Sequence, residues 1–274
     1  MSLRKSFVAA VAAAITAVFL SIALQPAKAA TIAWGTPVTI SGSSDVVTTG
    51  TLFASANFGP IATGTDVTVN GVTFNGFSWV SGSNFKTVTV GNITITGTQN
   101  LSNANYPSGA SAAPYTSLPA AYQSLLRPTL FSNSNTVTFS LAGLTSGRSY
   151  LIQYWASDPT VSGSSRSVQI GSQTLDVNST DAVGGVGQWV TGTFTADSST
   201  QSFAATRIGS SPMYGNAMQV RLLAVPEPET LAMLGAGVAF VATCGKLRRR
   251  LSRHRGEASG VIQSADRPSW ADSA

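Results

Sequence analysis

The sequence predicts an all-β fold, a jelly-roll-like β-sandwich built from the middle of a 274-residue chain. Three observations predict it. Thr, Ser, Gly, Val and Asn dominate residues 30–225, which is the composition of strands and tight turns. Three two-residue turns in this region join runs whose apolar residues stay in register. The two long apolar segments of the chain lie outside it, near the two ends.

The first 29 residues have the three regions of a secretory signal peptide. Arg4-Lys5 gives a positive start, residues 7–24 are almost entirely apolar, and Ala27-Lys28-Ala29 supplies the small residues of a cleavage site. We therefore expect a signal helix, export by the Sec machinery and a mature N-terminus at Ala30 or Thr31. A retained membrane anchor is the alternative.

Three hairpins are predicted from turns that keep apolar residues on one face. Asn-Gly is the preferred sequence of a type I′ turn, and Gly at the first turn position suits a type II′ turn. The predicted pairs are Val67 with Phe74 around Asn70-Gly71, Val88 with Ile95 around Gly91-Asn92, and Val168 with Leu175 around Gly171-Ser172.

The rest of the middle region alternates in the same way. Strands are predicted at Thr136–Leu141, Tyr150–Trp155, Gln188–Thr195, Gln201–Thr206 and Ala217–Leu223. Their core-facing residues are expected to be Ile152, Tyr154, Val190, Phe194, Phe203, Met218, Val220 and Leu222. One helix is predicted at Leu118–Leu126, with Ser117 as N-cap and Pro119 in its first turn. Residues 99–114 read as a polar loop.

The C-terminal end has three parts in a fixed order. Pro226-Glu227-Pro228 precedes an apolar run, Thr230–Gly245, which predicts a short transmembrane helix. The basic residues that follow would stay in the cytoplasm and leave the middle region outside. They are Lys246, Arg248, Arg249 and Arg250. We expect the polar tail, residues 251–274, to be disordered.

This end, VPEPETLAMLGAGVAFVATCGKLRRR, resembles the PEP-CTERM sorting signal of exported bacterial proteins. The resemblance covers residues 226–250 and implies recognition by exosortase, a membrane cysteine protease, with cleavage near the Pro-Glu-Pro motif. It also implies a Gram-negative host that makes exopolysaccharide, and an envelope or extracellular location. The alternative is an ordinary C-terminal anchor with a chance Pro-Glu-Pro. Separately, VTFSLAGLTSGRSYLIQYW, GQWVTGTFTAD and NAMQVRLL resemble jelly-roll domains of the galactose-binding-like type.

Charge and composition exclude most chemistry from residues 30–225. This region has no Glu, His or Cys, so a Ser-His-Asp triad, a Cys nucleophile and a zinc site are all excluded. Its six cations balance its six Asp residues, which leaves no basic stripe for nucleic acid. We expect neither an enzyme nor a cofactor. A glycoside hydrolase needs two opposed carboxylates, whereas the Asp residues of this region are expected at turns and strand ends.

Two kinds of binding remain open. Asp158 and Asp181 lie in predicted loops and are candidate calcium ligands, although we expect no metal site. Most aromatic residues, Trp34 among them, are expected in the core. Tyr106, Tyr115 and Tyr214 lie in loops, where they would either stack on sugar rings or pin the loops to the domain.

The sequence thus predicts an exported, non-enzymatic envelope or extracellular-matrix protein with a structural or interaction role. The alternative is a carbohydrate-binding module that recognises exopolysaccharide, and a hydrolase is a more distant third.

Overall fold

The computed structural model describes residues 30–60, 66–77, 85–105, 112–160, 165–209 and 211–224. The backbone divides into two units at Ala224/Val225, and every described residue belongs to the first. The predicted signal peptide (1–29), sorting segment (226–250) and tail (251–274) lie outside the described residues.

The described residues form a sandwich of two eight-stranded sheets. Sheet I contains, in spatial order, β1 (Ala33–Trp34), β13 (Gln188–Thr195), β10 (Ser149–Ala156), β16 (Ala217–Leu222), β3 (Thr51–Pro60), β5 (Val72–Phe77) and β4 (Val67–Val69), with β2 (Val38–Thr39) also paired to β13. Sheet II contains β12 (Gln173–Asp176), β11 (Ser167–Ile170), β14 (Thr200–Arg207), β9 (Thr136–Ala142), β7 (Ile93–Asn105), β8 (Pro128–Ser132) and β15 (Met213–Gly215), with β6 (Phe85–Val90) paired to β7. The prediction of an all-β sandwich is confirmed.

The three predicted hairpins form with the predicted register. Val67 pairs with Phe74, Val88 with Ile95 and Val168 with Leu175. Asn70 and Gly71 have φ angles of 49° and 73°, as a type I′ turn requires. The five further predicted strands correspond to β9, β10, β13, β14 and β16, each within a residue or so of the predicted bounds.

The one α-helix among the described residues starts later than predicted. Helix α1 is Ala120–Leu126 and its N-cap is Pro119, not Ser117. The reason is steric, because a residue before proline is pushed out of the α region, and Leu118 is extended at φ −70° and ψ 151°. Ser117 instead ends a 3₁₀ turn, Tyr115–Ser117.

The predicted loop at 99–114 is partly strand. β7 pairs with β9 through residues 93–97 and then with β8 through residues 101–105. Between these stretches the hydroxyl of Ser134 accepts a hydrogen bond from the Gln99 amide at 2.7 Å. Strands β3 and β8 are also absent from the prediction.

Two hydrophobic clusters hold the sandwich together. The first lies between the sheets and contains seven of the eight predicted core residues as buried side chains, with Leu222 half-buried beside them. The second covers the opposite face of sheet I, where Trp155 packs edge-to-face on Phe74 under helix α1. Sheet I is therefore covered on both faces, whereas no described element covers the outer face of sheet II.

Candidate functional site

Many of the residues that the sequence singles out lie outside the described residues. They are Tyr106, the cleavage-site residues Ala27 and Ala29, the motif residues Pro226, Glu227 and Pro228, and the basic residues Lys246, Arg248, Arg249 and Arg250.

Tyr115 is buried, with only 1% of its surface exposed. Its hydroxyl donates to the Gln123 carbonyl at 2.6 Å, which ties the 3₁₀ turn to helix α1. Burial raises the pKa of Tyr115 to about 12, against a smaller opposing effect of Arg127. Of the two roles left open for this ring, its burial fits the one in which it pins its loop, because helix α1 and the second cluster cover it.

Tyr214 is also buried, at 3% exposure, in strand β15. Arg166 lies over its ring, 5.6 Å from the ring centroid, and donates a hydrogen bond to its hydroxyl. Burial raises the pKa of Tyr214, and Arg166 opposes that rise. Burial again fits the pinning role, and neither Tyr115 nor Tyr214 presents an open face to a sugar.

Asp158 uses its carboxylate inside the protein. Its Oδ1 accepts from the amide and hydroxyl of Thr160 at 3.0 and 2.6 Å, and its Oδ2 faces Arg166 at 3.4 Å. Asp181 lies on an exposed turn with φ 50°. Within the described ranges no three His, Cys, Asp or Glu side chains come together as metal ligands would. A calcium ion at Asp158 would have to displace these donors.

A surface depression follows the edge of strand β14. β11 pairs with β14 only at residues 205–207, and no other strand of the described part of the chain pairs with residues 200–204 on that side. The segment Ala30–Ile32 and the turn at Gly171-Ser172 form its walls, and Trp34 and Phe203 also line it. This depression, the Trp34 groove, has a volume of about 530 Å³.

Trp34 is a half-buried ring held from several sides. It meets Phe203 edge-to-face at a centroid distance of 5.4 Å. A methyl group on Gly171 would lie 2.3 Å from its Cδ1, and one on Gly192 would lie 2.7 Å from its Cε3. Two glycines thus make room for the indole, and Gly171 also has the positive φ of its turn, 58°.

The polar residues of the Trp34 groove are amides and hydroxyls. Gln169, Gln201, Ser202 and Thr206 line it, and no charged residue occurs among the lining residues that the structure describes. The Gln201 amide nitrogen donates to the Ala30 carbonyl at 3.0 Å. Its carbonyl oxygen is buried and has no hydrogen-bond partner within the described residues.

Sequence reasoning missed this groove. The prediction that most aromatic residues are in the core applies only in part to Trp34, because its ring packs against the first cluster and also lines the groove. The alternation of Ile32 and Trp34 ahead of the first hairpin was the available signal. Nothing local indicates that Gln169 and Gln201, which are distant from Trp34 in sequence, come to the same place.

A second depression offers a contrast. This depression lies beside strands β6 and β7 and has a volume of about 500 Å³. It is lined by Lys86, Thr98, Gln99, Asn100, Ser102 and Asn133. No aromatic side chain is among these described lining residues, and Lys86 makes the site cationic. It therefore serves as an internal comparison for the Trp34 groove.

The outer face of sheet II carries rows of hydroxyl groups. Thr89, Thr94, Ser140 and Ser202 are paired in one row across β6, β7, β9 and β14. The Thr89–Thr94 and Ser140–Ser202 oxygen pairs are both 2.9 Å apart. A second row contains Thr87, Thr96, Thr138 and Ala204. We call the seven Ser and Thr residues of these two rows the hydroxyl face.

In the described part of the chain, no helix has the length and apolar character needed to cross a membrane. The predicted transmembrane segment, 230–245, lies outside that part.

Comparison with known proteins identifies one family model. Residues 224–250 match the PEP-CTERM protein-sorting motif. The motif indicates an exported protein that exosortase sorts and processes, with envelope anchoring before that processing. The match covers the C-terminal segment and does not extend to the β-sandwich. Neither curated proteins nor solved structures give a match.

Proposed function

We propose that this exported chain is a non-enzymatic structural or interaction protein of the cell envelope or extracellular matrix. The observation that carries the proposal is the hydroxyl face. It spans four strands, it is uncharged, and it lies on the side of the sandwich that no described element covers. Hydroxyl groups both donate and accept hydrogen bonds, which suits contact with a hydrated polymer.

The buried carboxylates support the same proposal. Asp45 accepts hydrogen bonds from the Ser41 and Gly42 amides at 2.7 and 3.0 Å and from Tyr122 at 3.1 Å. Asp158 is held in the same way by Thr160 and Arg166. Both groups act as fixed acceptors for loops, whereas general acid–base chemistry needs a group free to exchange its proton with substrate.

The proposed route to the surface includes both ends of the chain. Sec exports it in a Gram-negative bacterium, and signal peptidase cleaves it before Ala30 or Thr31. The apolar run 230–245 then holds it in the inner membrane until exosortase acts near Pro226-Glu227-Pro228. Once released, it joins the exopolysaccharide matrix.

We also propose that the sandwich is of the jelly-roll, galactose-binding-like type. Consecutive strands that change sheet support this proposal, because β9 in sheet II precedes β10 in sheet I, and β13 in sheet I precedes β14 in sheet II. A high-resolution experimental structure compared with such domains would test it.

Dose dependence distinguishes a matrix component from an enzyme. A strain that lacks the chain would be complemented with graded amounts of it, and matrix cohesion would be measured against the amount retained. A structural role predicts that cohesion rises in proportion to retained protein. Full restoration by trace amounts would contradict it, because a catalyst turns over.

A variant pair tests the sorting route. Glu227→Gln, within the motif, should leave the chain in the inner membrane, whereas the control Glu229→Gln should be released normally. Intact mass of the released wild type should show an N-terminus at Ala30 or Thr31 and no residues beyond about 230. A released protein that starts at Met1 or keeps Ala274 would contradict the route.

A second candidate function is carbohydrate binding. The observation that favours it is the exposed aromatic and amide lining of the Trp34 groove, and not the tyrosines that the sequence suggested.

A further inference from the structure

The Trp34 groove is an open slot with a fixed aromatic wall. Its volume, about 530 Å³, lies within the range of roughly 300–1,000 Å³ that small-molecule sites occupy. The indole contacts Phe203 and lies close to Gly171 and Gly192. These contacts restrict the rotation of the Trp34 side chain. A ligand would therefore meet a ring that is already in position.

The chemistry of the lining restricts the ligand. Gln169, Ser202 and Thr206 offer both hydrogen-bond donors and acceptors, and the described lining contains no charge to balance an ion. The buried Gln201 oxygen is a further acceptor that no described residue uses. A neutral molecule with many hydroxyl groups and an apolar face fits these features, and a pyranose ring is such a molecule.

An added peptide strand fits less well. Residues 200–204 of β14 present a free edge, and strand addition uses such edges. Specific strand addition also needs apolar pockets for alternate side chains. The lining includes the polar residues Gln169, Ser202 and Thr206, which suit hydroxyl groups better than apolar side chains.

We propose that the Trp34 groove binds a neutral pyranose residue of a polysaccharide, with the apolar face of the sugar on the indole of Trp34. Gln169, Ser202 and Thr206 bond the ring hydroxyls. This inference rests on the second candidate function and gives it a location and a ligand class. Ser202 belongs to both the groove and the hydroxyl face, so the test variants are placed at Trp34 and Gln169, which lie outside that face.

The test is a binding measurement on the full-length chain purified in detergent. The probes are neutral oligosaccharides of glucose, galactose and mannose, matched oligosaccharides of uronic acids, and a library of extended peptides. The wild type should bind at least one neutral oligosaccharide and should bind the matched uronic acid polymer more weakly. No binding of any neutral oligosaccharide, or preferential peptide binding, would overturn the proposal.

Variants localise the binding. Trp34→Ala should weaken it about thirtyfold or more, as truncation of a central aromatic anchor does. Gln169→Ala should weaken it about two- to tenfold, the worth of a hydrogen bond. Gln169 is exposed, so this variant stays informative if Trp34→Ala fails to fold. The matched control is Gln99→Ala, an exposed glutamine in the second depression, which should bind normally.

Two further results separate this proposal from the structural function. Loss of sugar binding in Gln169→Ala with an unchanged melting temperature supports the groove. Equal sugar binding by wild type, Gln169→Ala and Trp34→Ala overturns it, even if the chain still supports matrix cohesion in proportion to its amount.

Discussion

Buried tyrosines are the residues that most clearly serve the fold. Burial raises the pKa values of Tyr115, Tyr122, Tyr154 and Tyr214 above the ordinary value of 10.0. Each hydroxyl also has a partner. Trp155 donates to the Tyr122 oxygen at 2.9 Å, and Tyr122 in turn donates to Asp45, so three elements distant in sequence meet at one phenol.

These pKa values predict a loss of stability in alkali. A phenol whose folded pKa exceeds its unfolded pKa contributes its full stabilisation below pH 10 and loses it as the pH rises through the folded value. For Tyr115 the window is about pH 10 to 12. Urea denaturation should therefore show a lower free energy of unfolding at pH 11.5 than at pH 8. Tyr115→Phe should reduce that difference, and an unchanged difference would contradict its assignment to Tyr115.

Asn216 is a buried amide that bonds to several backbone groups. It is fully buried, its Oδ1 accepts from the Ser157 amide at 2.5 Å, and its Nδ2 reaches the carbonyls of Leu126 and Ser157 at 2.6 and 3.0 Å. One side chain thereby joins the end of helix α1 to the end of β10.

Removal of this amide should be costly. Asn216→Ala leaves several buried backbone groups without partners, at about 1–3 kcal/mol each, so we expect a loss of at least ~3 kcal/mol. The exposed Asn135→Ala is the matched control and should change stability by less than about 0.5 kcal/mol. Chemical denaturation of both variants checks this, and a loss below about 1 kcal/mol for Asn216→Ala would refute it.

Among the elements, the hairpins were predictable because their information is local. A two-residue turn fixes register by itself, as the pairs around Asn70-Gly71 show. Strand β3 was not predictable in that way. Its partner β16 lies more than 150 residues further along the chain, and its sequence, TLFASANFGP, alternates small and apolar residues weakly. Long-range pairing, and not local pattern, makes it a strand.

The same limit explains the candidate site. The groove residues become neighbours only when the N-terminal segment crosses from sheet I toward β14. They include Trp34, Gly171, Gly192 and Gln201. A related limit left two roles open for the loop tyrosines. Pro, Gly and Ser around Tyr115 indicate an irregular backbone, but they do not indicate whether helix α1 will cover the ring.

The turn of the first hairpin gives a test at the scale of one element. Gly71→Ala should cost about 1–2 kcal/mol because its φ of 73° is left-handed, although a methyl group there would contact nothing within 4 Å. Gly42→Ala is the matched control. It also has open space, but its φ of 167° is ordinary extended backbone. Thermal unfolding should separate the two, and an equal change in both would argue against conformational strain.

At the scale of the whole molecule, hydrophobic burial carries the stability. Residues 30–225 contain no Cys, so no disulfide can form within them. Two clusters on opposite faces of sheet I supply the apolar contacts instead. A domain of this size buries enough apolar surface for that to suffice.

We therefore expect the melting temperature to be insensitive to chelation. Full-length chain in detergent should unfold at the same temperature with and without excess EDTA, as measured by circular dichroism. Calcium added back is the control. A clear fall with EDTA that calcium reverses would contradict the prediction and point to a metal site that includes Asp158 or Asp181.

In the described domain, the first strand starts and the last strand ends at the same end of sheet I. One row of paired residues crosses four neighbouring strands near this end. It contains Ala33, Thr193, Leu151 and Arg221. Strand β1 starts at this end, and strand β16 ends there. The two strands are three strand spacings apart, which is about 14 Å. The first described strand therefore starts and the last one finishes on the same side of the sheet, whereas the turns around Asp158 and Asn178 lie at the other end.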